Sequence, residues 1–248
     1  MSAAWLGHAT VLMNLRGTVV LTDPALRSRI GVGLGPATLG PRRLIQPALT
    51  AKDLPKIDLL ALSHAHMDHL DLATLRHFPR STPVVTHRHL SDLLTRFDQV
   101  IELGWNERTV VAGVEIEAIP AKHWGARTIT DTHRGYGGFI LARNGTRVLF
   151  AGDTAYTDLY RRYRERRIDL AVMPIGAYDP WIANHASPEE AWAMAEDLGA
   201  RAVMPVHHAT FRLSQEPMEE PIARFLAAAG GAPDRVALTQ VGETWSEE

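Results

Sequence analysis

Four side chains able to bind a metal ion, His64, His66, Asp68 and His69, fall within six consecutive positions of the stretch from Ser63 to Leu70. In an extended chain alternate residues face the same side, so His64 and His66 can turn both imidazoles toward one ion. The chain must then bend for Asp68 and His69 to reach the same space. A buried cluster of imidazoles and a carboxylate is costly without a compensating cation. Three or four such groups suffice for one ion. Four here, with further His and Asp residues downstream, point to two neighbouring ions.

The elements around this stretch explain how it is positioned. Ile57 to Leu62 is apolar apart from Asp58 and reads as a buried strand, while Leu72, Leu75 and Phe78 recur at helical spacing over Leu70 to Phe78. The cluster therefore sits where a strand turns into a helix. The same arrangement recurs. Glu115 to Ile119 runs into His123, the strand from Arg147 to Phe150 leads to Asp153, and Ala202 to Pro205 leads to His207. Strands that deliver ligands to one edge of a sheet are how an open sheet builds a site. Sorted by chemistry, one ion takes His64, His66 and His123, and the other takes Asp68, His69 and His207. Asp153 bridges them, because a carboxylate has two oxygens where an imidazole offers one free nitrogen. Two ions about 3.5–4 Å apart can share a hydroxide and clamp the attacked and leaving oxygens, and the product of such chemistry is hydrolysis. The nitrogen and oxygen donors suit two divalent ions, with zinc expected first and manganese or iron as alternatives.

The remaining elements read in order. Ala3 to Leu6, Thr10 to Leu15 and Thr18 to Leu21 form short strands, with His8 in the first turn as a structural residue and Asp23 placed to buttress an active-site histidine. Ala25 to Ala51 is a long irregular loop suited to a substrate wall. Pro83 to Thr86 is a strand followed by a helical stretch to Phe97, with His87 and His89 structural or exposed. Asn144-Gly145 marks a tight hairpin turn, and Arg161 to Arg167 reads as a solvated helix face. Ser187 as N-cap, Pro188 at the first helical position and Glu190 two residues later predict a helix to Leu198 that stops at Gly199. A helix over Met218 to Ala229 and a closing strand around Val236 to Leu238 complete the chain.

Composition sets the bounds. The 248 residues carry no linker-like tract, so a single domain over 1–248 is expected. A formal net charge of -2 implies no general polyanion surface, and no nucleic-acid partner is expected. The absence of cysteine excludes disulfides and thiolate ligands. With no span-length apolar run and no evident leader, the expectation is a cytoplasmic protein without stable membrane insertion. The substrate would be a small molecule or lipid-derived, and a homo-oligomer is left open.

The His-x-His-x-Asp-His pattern with its later His, Asp and His resembles the metallo-beta-lactamase superfamily. More narrowly, the chain is similar to its N-acyl-phosphatidylethanolamine-hydrolysing phospholipase D-like branch. That resemblance is carried by Trp5-Leu6-Gly7-His8-Ala9-Thr10, Leu21-Thr22-Asp23-Pro24 and Gly40-Pro41-Arg42-Arg43. It continues through Pro120-Ala121-Lys122-His123-Trp124 with Arg127, Ala151-Gly152-Asp153-Thr154, Pro174-Ile175-Gly176-Ala177-Tyr178, His185, and His207 with Thr210-Phe211. The resemblance covers essentially the whole chain. It implies an α/β fold, a four-layer alpha-beta-beta-alpha sandwich of two related halves with a dinuclear site at one edge. It also implies the ligand set sorted above, with His207 rather than His208 as the last ligand. The implied activity is that of a metal-dependent phosphodiesterase. Relatives resembling ascorbate-6-phosphate lactonase make a lactonase the alternative, and a non-catalytic metal-binding protein is a third. By the same resemblance Asp68 and His185 are expected to be catalytic, His185 acting on the leaving group or an anionic oxygen. Lys122, Arg127 and Tyr178 are expected at the substrate, and His208 in support.

Overall fold

Three antiparallel strands, β1 (Ser2–Gly7), β2 (Thr10–Leu15) and β3 (Thr18–Thr22), begin the chain in the computed structural model, which describes residues 1–34, 37–128 and 130–247. A small hairpin, β4 (Val32–Leu34) with β5 (Ala37–Leu39), interrupts the long loop that follows. Then β6 (Leu59–Leu62), β7 (Val84–His87) and β8 (Val100–Leu103) add in parallel to β3. The second sheet is built from β9 (Arg108–Val111), β10 (Val114–Ile119), β11 (Gly138–Arg143), β12 (Thr146–Phe150), β13 (Leu170–Pro174) and β14 (Ala202–Val206). Its strand order is β14-β13-β12-β11-β10-β9. The first sheet has the order β15-β1-β2-β3-β6-β7-β8, with β15 (Thr244–Ser246) returning to pair with β1.

Side-chain alternation stacks the sheets. In β6, Leu59 and Ala61 enter the core between the two sheets, while Leu60 and Leu62 face outward. In β13, Leu170 and Val172 enter the same central core, while Ala171 and Met173 meet the helices outside. Strands buried on both faces must be apolar throughout, so both read as continuous hydrophobic runs. Outside the second sheet lie α2 (Pro188–Leu198), α3 (Glu220–Ala229) and a 3-10 segment, Asp158–Arg166, packed through Trp192, Leu198, Phe225 and Tyr160. Outside the first sheet the layer is thinner: one turn, α1 (Leu72–Leu75), with Leu70, Phe78, Leu90, Leu94 and Phe97 closing the core. The layers form the four-layer αββα sandwich of the metallo-beta-lactamase fold.

Several sequence expectations need correction. Helical spacing over Leu70 to Phe78 yields only the single turn of α1, after which His77 N and Phe78 N donate to Thr74 O and Leu75 O in tighter three-residue turns. The stretch toward Phe97 forms only the 3-10 turn Ser91–Leu93, and β8 follows it. Val236 makes one isolated bridge to Val203, and the closing strand is β15 instead. The Asn144-Gly145 hairpin and the capping box of α2 form as expected, with positive φ at both turn residues and Gly199 left-handed at the helix end. No helix among the described residues is long and apolar enough to cross a membrane.

Candidate metal centre

The ends of β1, β3, β6 and β14 and the segments after β10 and β12 converge on one edge between the sheets. Two four-residue groups of donor atoms meet there, each group's atoms within 4.8 Å of one another. One is His64, His66, His123 and Asp153; the other is His8, Asp68, His69 and His207. All seven side chains expected as ligands are thus brought together. His8, read from sequence as structural, joins them.

Asp153 lies between the groups. Its Oδ2 is 3.0 Å from His69 Nε2 and 3.2 Å from His207 Nε2 on one side, and 3.9 Å from both His64 Nε2 and His123 Nε2 on the other. Asp68 Oδ2 is 3.4 Å from His69 Nε2 and 3.3 Å from His207 Nε2. In the first group His66 Nδ1 stands 2.9 Å from His64 Nε2 and 3.3 Å from His123 Nε2.

Hydrogen bonds on the far side of the rings set which nitrogen faces inward. A carboxylate and a carbonyl only accept, so His69 donates from Nδ1 to Asp23 Oδ2 at 2.6 Å and His123 donates from Nδ1 to Asn184 O at 2.8 Å. Ser63 gives its hydroxyl proton to Asp23 and therefore accepts from His64 Nδ1 at 2.8 Å. Each ring is left with an Nε2 lone pair aimed at the centre, the tautomer that a metal ligand needs. Asp23 thus orients one candidate ligand of each group, the buttress expected of it. The backbone is held in left-handed conformations at Asp23 (φ 33°) and His207 (φ 63°), which non-glycine residues adopt at a cost of about 1–3 kcal/mol.

Electrostatics show what the residues lack. Burial opposes protonation of His207, yet Asp153 and Asp68 outweigh it and lift its pKa to about 9; the same two carboxylates raise His69. Burial raises Asp153 and Asp68 toward neutrality, but the surrounding imidazoles hold both well below the usual carboxylate range. Two buried carboxylates therefore draw positive charge into the second group. Burial pushes His64 down and takes His66 and His123 to about 4, so all three are neutral imidazoles. His69 Nε2, His207 Nε2 and Asp153 Oδ1 are buried with no hydrogen-bond partner. Converging lone pairs, orphaned donor atoms and uncompensated carboxylates fit cations in both groups.

A cavity of about 280 Å³ opens onto the centre, lined by His66, Asp68, Asp153 and His185 together with the half-exposed Trp124 and Trp181. His185 Nδ1 stands 3.8 Å from Asp153 Oδ2, and burial lowers its pKa to about 4. Lys122, Arg127 and Tyr178, expected at the substrate, are not among the described residues lining this cavity. Lys122 is exposed. Arg127 Nη1 donates to the carbonyls of Ala65 at 2.7 Å and Leu70 at 2.8 Å, bracketing the loop that carries His66, Asp68 and His69. The Tyr178 hydroxyl turns to Glu220 Oε1 at 2.8 Å, with Arg224 over its ring. His208 packs at a tilt against Trp5 with ring centres 4.6 Å apart, a supporting place.

Comparison with known proteins agrees with this geometry. Residues 18–208 match the family described as "Beta-lactamase superfamily domain". The chain is 30% identical over 270 residues to N-acyl-phosphatidylethanolamine-hydrolyzing phospholipase D 1 of Caenorhabditis elegans, covering 98% of this chain and 75% of that protein. It is 36% identical over 259 residues to the mitochondrial N-acyl-phosphatidylethanolamine-hydrolyzing phospholipase D of Saccharomyces cerevisiae, covering 97% of this chain and 54% of that protein. Among solved structures, an isothiocyanate hydrolase from Delia radicum gut bacteria superposes with a TM-score of 0.79 at 20% identity, covering 100% of this chain and 99% of that one, a likeness of fold alone. The chain belongs to the metallo-beta-lactamase superfamily and is related to its phospholipase D-like metal hydrolases.

Proposed function

We propose that this protein is a dinuclear metal-dependent hydrolase that cleaves a small or lipid-derived phosphodiester. The clustered donors and the family support metal-dependent hydrolysis in general. The phosphodiester reading draws on the two phospholipase D relatives and on the apolar Trp124 and Trp181 at the cavity mouth. The observation that carries the dinuclear reading is Asp153 Oδ2, placed 3.0–3.9 Å from inward nitrogens of both groups. His64, His66 and His123 would hold one divalent ion, Asp68, His69 and His207 the other, and Asp153 both. Zinc suits this donor set, as do manganese and iron.

Bound there, the ions would supply Lewis acidity and lower the pKa of a water molecule. The chain's own residues do the rest. Asp68, at the cavity wall, orients the attacking water by accepting its hydrogen bond. His185 is neutral, so it serves the phosphoryl group as an N–H hydrogen-bond donor to an anionic oxygen. Trp124 and Trp181 exclude water from the apolar side of the substrate.

The test is elemental analysis of the purified protein, followed by assays on a bis-aryl phosphodiester and a lactone panel. Phosphodiester turnover that chelation abolishes and metal restores supports this reading. Turnover of lactones alone transfers the assignment to a lactonase, and no turnover of either, with metal bound, contradicts hydrolysis of this class.

A further inference from the structure

His8 occupies a place that a turn residue between two strands does not need. It is 1% exposed, and its Nε2 stands 2.8 Å from Asp68 Oδ2. An ionised carboxylate has no proton to give, so the imidazole donates from Nε2. That nitrogen then has no lone pair for a cation. His8 therefore grips a candidate ligand and is not itself one.

The grip is rigid. His8 N donates to Thr210 Oγ1 at 2.8 Å, and His8 O accepts from Trp5 Nε1 at 2.7 Å and from His207 N at 3.1 Å. Its ring is wedged with its centre 4.2 Å from the His207 ring and 5.2 Å from Phe211. The backbone sits at φ 54° immediately after Gly7 at φ 115°, a turn that sends the ring inward beneath Asp68. By contrast, Asp68 lies in a loop and is partly exposed to the cavity. Among the described residues, no comparable contact joins His8 to His64, His66 or His123.

We propose that His8 is a positioning residue that fixes Asp68 for the group it forms with His69 and His207, and so sets that group's cation affinity independently of the His64, His66 and His123 group. The inference rests on the dinuclear reading. It makes the two groups separable by a substitution that contacts only one of them. A carboxylate held by an outer hydrogen bond typically loses about 10–100-fold in metal affinity when that bond is removed.

Cobalt(II) titration of the metal-free protein, followed by d–d absorption and equilibrium dialysis, tests it. In His8→Met the side-chain volume is kept and the donor is lost; one binding phase should weaken about 10–100-fold while the other stays at its wild-type midpoint. In His8→Gln an amide N–H reaches about as far as imidazole Nε2, and most of the lost affinity should return. Should His8→Met not fold, His8→Asn, a residue type tolerated at positive φ, carries the same comparison through its weaker donor reach. Two phases unaltered in His8→Met overturn the proposal, as does equal weakening of both phases in a protein that melts like wild type. A His8→Gln protein no better than His8→Met would also overturn it. Wild type taking up a single cobalt refutes the dinuclear reading itself, whereas two-site uptake without phosphodiester turnover refutes only the proposed substrate class.

Discussion

Arg127 shows how much of a residue's role depends on where its side chain points. Its motif neighbours suggested a substrate contact, but Nη1 of the guanidinium donates to the Ala65 and Leu70 carbonyls. Hydrogen bonds from a charged group are worth about 1.5–3 kcal/mol each at most. Arg127→Met should therefore lower stability by about 1–3 kcal/mol in urea unfolding and loosen metal retention, with Arg127→Lys intermediate. A substrate contact would instead raise KM and leave the urea midpoint alone. The convergence of the seven candidate ligands was legible because each follows a strand that its apolar or alternating pattern identifies. His8 follows one too, directly after β1, and that rule applied evenly would have found it. Its neighbour Gly7 made it look like turn punctuation. Tyr178 and Lys122 show the converse: a motif position fixes neither the rotamer nor the face.

At the scale of elements, local chemistry was readable wherever a cap or turn closes within a few residues. Ser187 accepts from Glu190 N, and Glu190 accepts in return from Ser187 N. Ser187→Ala should cost about 0.5–2 kcal/mol. In a chain of this size that corresponds to about 2–4 °C in Tm per kcal/mol, measurable by thermal melting with activity unchanged. The outer layer of the first sheet was not readable, because helical spacing in short segments says nothing of whether a following proline or a packed loop ends the helix after one turn. There the loop after His123 is anchored by Arg134, which pairs with Asp92 and Asp131 and also donates to His89 O. The Arg134 hydrogen bond holds the Asp92 carboxyl below the usual range; at Asp131, burial works the other way and Arg134 with Thr128 outweighs it. Depressed carboxylate pKa values stabilise the fold above the unfolded value of about 3.9, and that contribution fades as pH falls through the folded values. The gap in urea midpoint between wild type and Arg134→Met should be widest at about pH 6–7 and narrow as pH drops toward about 3.5. A gap that does not change with pH would contradict this anchoring.

At the scale of the molecule, the centre draws its donors from both sheets. His64, His66, Asp68 and His69 follow a strand of the first; His123, Asp153 and His207 follow strands of the second. The central core holds the sheets together elsewhere, and the candidate ligands are their junction at this edge. Cations bound there stabilise the folded state by mass action, about 2.7 kcal/mol at a free concentration 100 times Kd. Chelation should lower Tm by several degrees, and added zinc or manganese should restore it; an unchanged Tm would mean that the edge holds no ion in solution. Individual strands were legible because alternation and continuous apolar runs identify strands buried on one face or both; their stacking into a four-layer sandwich came from the family resemblance. Which strand closes the sheet was not legible, since β15 is Thr-Trp-Ser with a single apolar residue, while the wholly apolar Val236 to Leu238 makes only one isolated bridge.

Asp153 is the residue on which the proposed two-ion arrangement depends, and metal content per chain tests it most directly. Elemental analysis should find two ions per chain in wild type and no more than one in Asp153→Ala purified and dialysed in parallel, with both proteins folded by circular dichroism. One ion per wild-type chain, or two retained in Asp153→Ala, would contradict a shared carboxylate between the groups.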